Sequence, residues 1–312
     1  MEYRQLGHSG VRVSVIGLGA NQFGSDRVPQ ADVSRIIDAA LDLGVNFIDT
    51  ANVYKHGASE ETLGAALEGR RNRVVLATKF SRPLSNDPNA RGASRYHMMQ
   101  EVEGSLRRLQ TDHIDLYYVH RWDETTPIEE TLRGLDDLVR AGKILYVGAS
   151  QFASWQIAAA NVLAELRGWS PFIVLQSHYH MFERRVEREV LPYCRTHRVG
   201  LIPYFPLAGG FLTGKYRAGE PPPPGSRGEN AAYVQRYMTQ SHFDKVARLT
   251  AWAEERARGM NELAHAWLLA KPQVCSVISG ATKPEHVISN AKAADWHLSA
   301  PEMKELDALL QS

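Results

Sequence analysis

Short apolar runs alternate with amphipathic segments along the chain, and the alternation repeats eight times. The apolar runs predict strands over residues 13–19, 45–49, 74–79, 114–120, 144–150, 172–177, 199–205 and 274–279. Segments with helical periodicity follow these runs. Continuously apolar strands are typical of a parallel sheet covered by helices. Eight strand–helix units are the number that closes a (β/α)8 barrel.

A doubly wound open sheet is the alternative architecture for this pattern. Its dinucleotide-binding form carries G-x-G-x-x-G directly after the first strand. Residues 17–24 read GLGANQFG, in which the glycines have a different spacing. We therefore expect an α/β chain with the (β/α)8 TIM-barrel fold, forming a single domain over residues 1–312.

Two segments fall outside the repeat. Residues 3–13, YRQLGHSGVRV, place a glycine-containing turn between two short β-like pieces, which predicts an N-terminal β-hairpin. After strand 7 the chain runs from Pro206 to Gln240 through a PPPPG sequence. Such an insertion is either a solvated loop or a lid. Four flanking aromatic residues favour a long lid loop, namely Phe211, Tyr216, Tyr233 and Tyr237.

Composition narrows the classes of protein to consider. Hydrophobic residues make up 44% of the chain, and 36 basic residues balance 35 acidic ones for a net charge of +1. The chain has no basic block, so we expect no nucleic-acid partner. It has no long apolar run either, so we expect no membrane partner and a cytoplasmic location. We expect Cys194 and Cys275 to be reduced core residues. The oligomeric state stays open.

Polar residues stand at the predicted ends of six strands. In a (β/α)8 barrel the carboxyl ends of the strands converge on one mouth, where active sites are built. Taken singly, Ser150 could cap a helix, and Asp49 with Lys79 could form a plain structural ion pair. The joint pattern favours one functional site. Its members are Asp49, Lys79, His120, Ser150, Gln176 and Tyr204.

Tyr54, five residues after Asp49, supplies a proton donor for this site. A protonated Lys79 would stabilise the phenolate that forms when Tyr54 gives up its proton, and Asp49 would hold Lys79 in place. A ring N–H of His120 would orient a carbonyl oxygen. The residues therefore predict reduction of a carbonyl group by an incoming hydride and a proton.

Four long motifs are similar to those of the aldo-keto reductases. They are FIDTANVY with GASEETLG, the central block from IDLYYVH to ILYVGAS, LAGGFLTGKY, and SGATKPEHVISNAKA. Together they span essentially the whole chain. The resemblance implies a catalytic tetrad of Asp49, Tyr54, Lys79 and His120, and a small carbonyl compound as substrate.

The resemblance also implies a nicotinamide cofactor that binds across the barrel mouth without a Rossmann motif. Ser150, Gln151 and Gln176 would hold its carboxamide, and Tyr204 would stack on its ring. The charges of Lys283 and His286 suit a 2′-phosphate and indicate NADPH (NADP+) over NADH. The other implied cofactor-binding residues are Gly19, Ala20, Asn21, Asp49, Phe205, Pro206, Leu207, Gly209, Leu212, Gly214, Lys215, Ser279, Gly280, Ala281 and Asn290.

Three of these positions depart from the family pattern. Gln151 stands where Asn is usual, Phe205 where a small hydroxyl residue is common, and His286 where Gln or Arg is expected. None is a member of the tetrad. The departures therefore bear on coenzyme preference and leave the predicted reaction unchanged.

A partly aromatic substrate pocket is predicted from the mouth loops. Tyr54 and His120 belong to it, and Trp122 either lines it or packs beneath the loop. Such a pocket suits small aldehydes or bulkier xenobiotic ketones, so detoxification of reactive carbonyls is a predicted role. The remaining predicted pocket residues are Phe23, Phe80, Asn21 and Arg82.

Three other functions compete with carbonyl reduction. A metal-dependent hydrolase is prompted by His178, His180, His120 and Asp115, although Asp115 is predicted at a strand start, away from the mouth. A Schiff-base aldolase would use Lys79 as nucleophile and would need it free of a carboxylate. A coenzyme-binding regulatory subunit with little turnover is the third.

Overall fold

Eight parallel strands close into a barrel in the computed structural model, which describes residues 1–311. The order around the barrel is β10-β3-β4-β5-β6-β7-β8-β9. The predicted (β/α)8 fold is confirmed. The barrel strands are β3 Ile16–Gly19, β4 Phe47–Asp49, β5 Val75–Phe80, β6 Ile114–Val119, β7 Ile144–Ser150, β8 Phe172–His178, β9 Gly200–Tyr204 and β10 Val277–Gly280.

Helices cover the outside of the barrel. Their ends follow local sequence signals: Ser94 accepts a hydrogen bond from the His97 amide at the start of α3, and Pro127 precedes the first residue of α4. The helices are α1 Gln30–Asp42, α2 Ala58–Ala66, α3 Arg95–Leu109, α4 Ile128–Arg140, α5 Ser154–Arg167, α6 Val190–His197, α7 Arg227–Asn230, α8 Ala232–Gln235, α9 Gln240–Glu254, α10 Met260–Leu269, α11 Pro284–Ala291 and α12 Ala300–Gln311.

An antiparallel hairpin, β1 Tyr3–Gln5 and β2 Arg12–Ser14, closes the amino-terminal end of the barrel. Leu6 and Val13 are fully buried and join the apolar cluster inside the barrel. Gly7 has a φ of 60°, and a Cβ atom there would overlap the carbonyl oxygen of Ile173. The hairpin was predicted and is confirmed.

The first predicted strand, residues 13–19, divides between two sheets. Val13 and Ser14 pair with β1, and the barrel strand begins at Ile16. The Ser14 amide donates to the side chain of Asn46, and the Val15 amide donates to the carbonyl of Glu2. These bonds turn the chain between the two sheets, and hydrophobicity alone did not reveal the break.

The segment 206–240 contains a 3-10 helix, Ala208–Thr213, and the short helices α7 and α8. At Gly209, whose φ is 70°, a Cβ atom would lie 2.6 Å from Val234 Cγ2. The α8 helix therefore packs directly on this backbone. Phe211 stacks on Tyr216 and Tyr237, with ring centroids 6.1 and 6.2 Å apart. The predicted aromatic residues hold the segment together after β9.

Both cysteines are buried and unpaired, as predicted. Among residues 1–311, no helix combines the length and the apolar character needed to cross a membrane.

Candidate active site

A cavity of about 740 Å³ opens at the carboxyl ends of the barrel strands. Asp49 and Tyr204 are the last residues of β4 and β9, and Ser150 is the last of β7. Gln176 lies two residues from the end of β8, and His120 directly follows β6. All five line the cavity. Barrel closure thus brings together residues that are far apart in sequence.

Asp49 and Lys79 form a buried ion pair, with Lys79 Nζ 2.5 Å from Asp49 Oδ1. The ammonium also donates to the Thr50 carbonyl at 2.7 Å, and Gln176 Nε2 donates to Asp49 Oδ2 at 2.8 Å. Burial alone would lower the pKa of Lys79, but the carboxylate of Asp49, aided by Tyr54, raises it. Lys79 is therefore a fixed cation.

Tyr54 lies beside this pair, with Lys79 Nζ 5.1 Å from its ring centroid. The ring of His120 stands at 85° to that of Tyr54, with centroids 5.9 Å apart. After Tyr54, residues 55–57 have φ values of 52°, 54° and 96°. This left-handed turn leads directly into α2 and lets Tyr54 reach the cavity. The four residues of the predicted tetrad therefore lie together.

His120 is buried, and burial together with the charges of Lys79 and Arg82 lowers its pKa well below the ordinary value. Its imidazole is neutral at pH 7 and carries one N–H. Among the described residues, its Nδ1 has no hydrogen-bond partner. A neutral ring in the cavity wall can donate a hydrogen bond to an oxygen of a bound molecule.

A second layer of polar residues fixes the Tyr54 segment. Ser59 Oγ donates to the carbonyl of Ala20 at 2.7 Å and lies 2.8 Å from Thr50 Oγ1. The buried carboxylate of Glu60 accepts from Thr78 at 2.5 Å and from Arg108 at 2.7 Å. Ser59 and Glu60 belong to the GASEETLG motif, but their hydrogen-bond partners lie on distant elements.

The remainder of the cavity fits an elongated, polar and anionic cofactor. It extends between the 3-10 helix 208–213 and the end of β10. Gly280 has only Asn21 and Gly19 atoms near its Cβ position, at 3.7 and 3.8 Å, so the backbone is open to the cavity. The buried Ser150 hydroxyl has no partner within residues 1–311. Such a group is ready to bind a polar ligand atom.

Positive charge gathers at the end of the cavity far from Tyr54. Burial lowers the pKa of His286, and the charges of Lys283, Lys215 and Arg27 lower it further. Arg27, Lys215 and the half-buried Arg227 line the cavity. Arginine and lysine side chains are the usual partners of phosphate groups. This end of the cavity can therefore hold phosphates.

Most of the predicted cofactor-binding residues line the cavity. Leu212, Gly214, Ala281 and Lys283 are not in its wall. Gln151 and Phe205, two of the departures from the family pattern, have left-handed φ values of 58° and 60°. The predicted residues in the wall are Gly19, Ala20, Asn21, Asp49, Ser150, Gln151, Gln176, Tyr204, Phe205, Pro206, Leu207, Gly209, Lys215, Ser279, Gly280, His286 and Asn290.

Three of the aromatic residues predicted for the substrate pocket, Phe23, Phe80 and Trp122, lie outside the cavity wall. Phe23 and Phe80 are fully buried, and Phe80 stacks on Tyr117 with centroids 5.0 Å apart. Side chains alternate along a strand, so Phe80 points toward the helices because its neighbour Lys79 points into the barrel. Trp122 is half-buried against Phe152, with centroids 5.1 Å apart, outside the cavity wall. The expected aromatic pocket is not formed by these residues.

Several lining residues were not predicted. Gly210, Thr213 and Arg227 belong to the segment 206–240, in which only other positions were predicted to bind the cofactor. Ile278 is an apolar residue of β10, and the others come from loops and helices in which a polar residue is not conspicuous. These residues are Arg27, Gly210, Thr213, Arg227, Asn261, Ile278, Thr282 and Ser289.

Two of the competing chemistries meet structural obstacles. Asp115 lies near the start of β6, where it accepts from the Leu76 amide and pairs with Arg71. Within residues 1–311 no group of three or more histidine, cysteine or acidic residues has an arrangement that could hold a metal ion. Lys79 is clamped by Asp49 and protonated, whereas a Schiff-base lysine must be free and neutral.

Comparison with known proteins agrees with this geometry. The model of the Aldo/keto reductase family matches residues 15–311. The chain is 38% identical to a probable voltage-gated potassium channel subunit beta of Oryza sativa subsp. japonica, over 100% of this chain and 97% of that protein. It is 34% identical to an aldo-keto reductase of Bacillus subtilis, over 100% and 94%. It is 33% identical to versiconal hemiacetal acetate reductase of Aspergillus parasiticus, over 91% and 90%.

The chain belongs to the Aldo/keto reductase family. It is accordingly an NAD(P)H-dependent oxidoreductase whose general chemistry is carbonyl reduction.

Proposed function

We propose that this protein reduces aldehydes or ketones to alcohols with NADPH, and that Tyr54 donates the proton. One observation carries the proposal: Tyr54, Lys79, Asp49 and His120 form a single cluster at one end of the cavity. A bound nicotinamide cofactor supplies the hydride. We further propose that residues 1–312 act as one catalytic domain.

The chain's own residues would then have distinct tasks. The neutral ring of His120 donates a hydrogen bond that orients the carbonyl oxygen and stabilises negative charge on it. The Tyr54 hydroxyl delivers the proton, and the ammonium of Lys79 stabilises the phenolate left behind. Asp49 keeps Lys79 charged and in place.

The preference for NADPH over NADH is supported by the charge at the other end of the cavity. Lys215 and Arg27 line the cavity, and their charges act on His286 together with that of Lys283. A 2′-phosphate bound there would gain charge-assisted hydrogen bonds. Ser150, Gln151 and Gln176 would hold the carboxamide at the tetrad end.

The test is coenzyme oxidation followed by absorbance, with NADPH and NADH, across a panel of aldehydes and ketones. Tyr54→Phe removes the proton donor and keeps the ring. We expect NADPH-linked turnover to fall by about 10²- to 10⁴-fold in the variant, with NADPH affinity retained. Equal turnover in both proteins would exclude Tyr54 as the donor. A faster reaction with NADH would exclude the coenzyme preference.

A coenzyme-binding regulatory subunit with little turnover is the second candidate function. The name of the rice relative, a probable potassium channel subunit, favours it. Tight NADPH binding without consumption of any carbonyl on the panel would support this function.

A further inference from the structure

Arg82 brings an unpaired positive charge to the tetrad end of the cavity. It lines the cavity with Tyr54, His120 and Tyr204. Its charge contributes to the lowered pKa of His120, after burial and Lys79. By contrast, the charges of Arg27, Lys215 and Lys283 act on His286, and none of the three is among the charges that act on His120. The cavity therefore has two separate cationic regions.

The phosphates of a cofactor would occupy the region around His286, which leaves the charge of Arg82 unassigned. The Arg82 side chain is exposed, and within residues 1–311 no carboxylate and no hydrogen-bond acceptor contacts its guanidinium. The Asp49 carboxylate in the same cavity is already neutralised by Lys79. The Asp123 carboxylate, on the loop after β6, is engaged by Thr125, Thr126 and the amide of Ala93. A cation without an anionic partner can pair with an anionic group of an incoming ligand.

The backbone that carries Arg82 is held in one position. Ser81 has a φ of 91°, a conformation that non-glycine residues rarely adopt. Its hydroxyl accepts from the Arg121 amide at 3.2 Å and lies 3.4 Å from the Arg121 carbonyl. Its carbonyl accepts from the Gly92 amide at 2.9 Å. The loop after β5 is thus tied to the residue that follows His120, which holds the backbone next to Arg82 close to the tetrad.

From these observations we infer that Arg82 binds an anionic group of the substrate, so that the favoured substrates are carbonyl compounds bearing a carboxylate. The inference rests on the proposed reductase function and names its substrate class. An Arg–carboxylate contact is geometrically specific, since the planar guanidinium offers paired donors to the two oxygens. Neutral aldehydes would react without this contact.

The test compares three aldehydes that differ in charge at one position: para-carboxybenzaldehyde, para-formylbenzamide and para-(trimethylammonio)benzaldehyde. For each, kcat/KM with NADPH is measured in the wild-type protein, in Arg82→Gln and in Arg82→Glu. Dividing the wild-type kcat/KM by that of the variant for each aldehyde cancels the difference in intrinsic reactivity among the three compounds. Arg121→Gln is the matched control, because it removes the same charge from the neighbouring loop and lies outside the cavity wall.

We expect Arg82→Gln to lower kcat/KM about tenfold more for the carboxylate than for the amide. Arg82→Glu should lower it further for the carboxylate and raise it for the trimethylammonium compound. Salt at about 0.5 M should weaken the carboxylate preference of the wild type. Equal losses for all three aldehydes in Arg82→Gln, or the same pattern in Arg121→Gln, would overturn the inference.

A binding measurement separates this inference from the proposed function. With NADP+ present, titration with para-(hydroxymethyl)benzoate and with the matching amide is followed by tryptophan fluorescence. Tighter binding of the benzoate, lost in Arg82→Gln, supports the anion site even if no aldehyde is turned over. Equal binding of the two compounds overturns the inference, while turnover of neutral aldehydes would leave the reductase function intact.

Discussion

The rings of His178 and Tyr204 lie parallel, with centroids 5.3 Å apart and 10° between their planes. His178 is the last residue of β8 and pairs with Tyr204 in the barrel register. It also lies 3.2 Å from His180 through their Nε2 atoms, and His180 contacts the Tyr237 hydroxyl at 3.1 Å. One face of Tyr204 is thus covered and linked to the segment 206–240.

His178→Ala is expected to weaken NADP+ binding about 2- to 10-fold. The proposed nicotinamide stacking on Tyr204 needs a fixed ring, and a stacked aromatic pair contributes about 0.5–1.5 kcal/mol. Fluorescence titration with NADP+ measures the Kd. His178→Phe, which retains a ring behind Tyr204, should bind nearly as tightly as the wild type. Unchanged NADP+ affinity in His178→Ala would show that packing of His178 on Tyr204 is not needed for cofactor binding.

Lys79→Met is expected to destabilise the fold by about 3–5 kcal/mol, because it leaves the Asp49 carboxylate buried without its cation. The Gln176 amide would remain as its side-chain partner. Urea denaturation measures the loss, and Asp49→Asn with Lys79→Met should restore most of it. Lys304→Met, the same change on an exposed helix surface, is the control. If Lys79→Met loses no more unfolding free energy than this control, then the Asp49 carboxylate is not left uncompensated as proposed.

Gly7→Ala is expected to destabilise the fold by about 2 kcal/mol or more. The φ of 60° is strained for alanine, and the added methyl group would overlap the Ile173 carbonyl. Gly10→Ala is the matched control in the same hairpin turn, since nothing lies within 4 Å of its Cβ position. The difference in Tm between the two variants measures the destabilisation that is specific to Gly7. Equal unfolding temperatures would mean that the hairpin does not seal the barrel as described.

The predicted barrel and tetrad share one physical origin. A carboxylate or ammonium at the end of an apolar strand is costly unless paired, so Asp49 and Lys79 were conspicuous in the sequence. The structure brings them into contact because β4 and β5 are neighbouring parallel strands of the barrel. The pattern of apolar strands that end on polar residues therefore predicted both the fold and the central residues of the candidate site.

The wrongly expected and missed residues are those whose orientation depends on distant packing. Phe80 was expected in the pocket as a residue of a mouth loop, but it is the last residue of β5, and strand alternation turns it to the outer core. Asn261 reaches the cavity from α10, where it donates to Ser289 and Asn290 on α11. Its sequence neighbourhood is that of an ordinary helix. Only the packing of α10 on α11 reveals its position.

Acidification should destabilise the fold through His265, which is fully buried between α10 and β10. Its Nε2 lies 2.5 Å from Ser279 Oγ, and its Nδ1 lies 2.7 Å from the Asn261 carbonyl. Burial lowers its pKa to about 4, from an ordinary value of 6.5. The unfolded chain therefore binds this proton first as the pH falls. Stability is complete above about pH 6.5 and is lost progressively toward pH 4, by up to about 3 kcal/mol.

Urea denaturation at about pH 7.5 and about pH 5 measures this loss. His265→Gln keeps an amide that can reach Ser279 and cannot titrate, so its unfolding free energy should change less between the two pH values. His297→Gln is the matched control, since the side chain of His297 is 72% exposed. If His265→Gln and the wild type lose the same free energy on acidification, then the proton is taken up elsewhere. The hydrogen bond from α10 to Ser279 in the cavity wall would then not be the acid-sensitive contact.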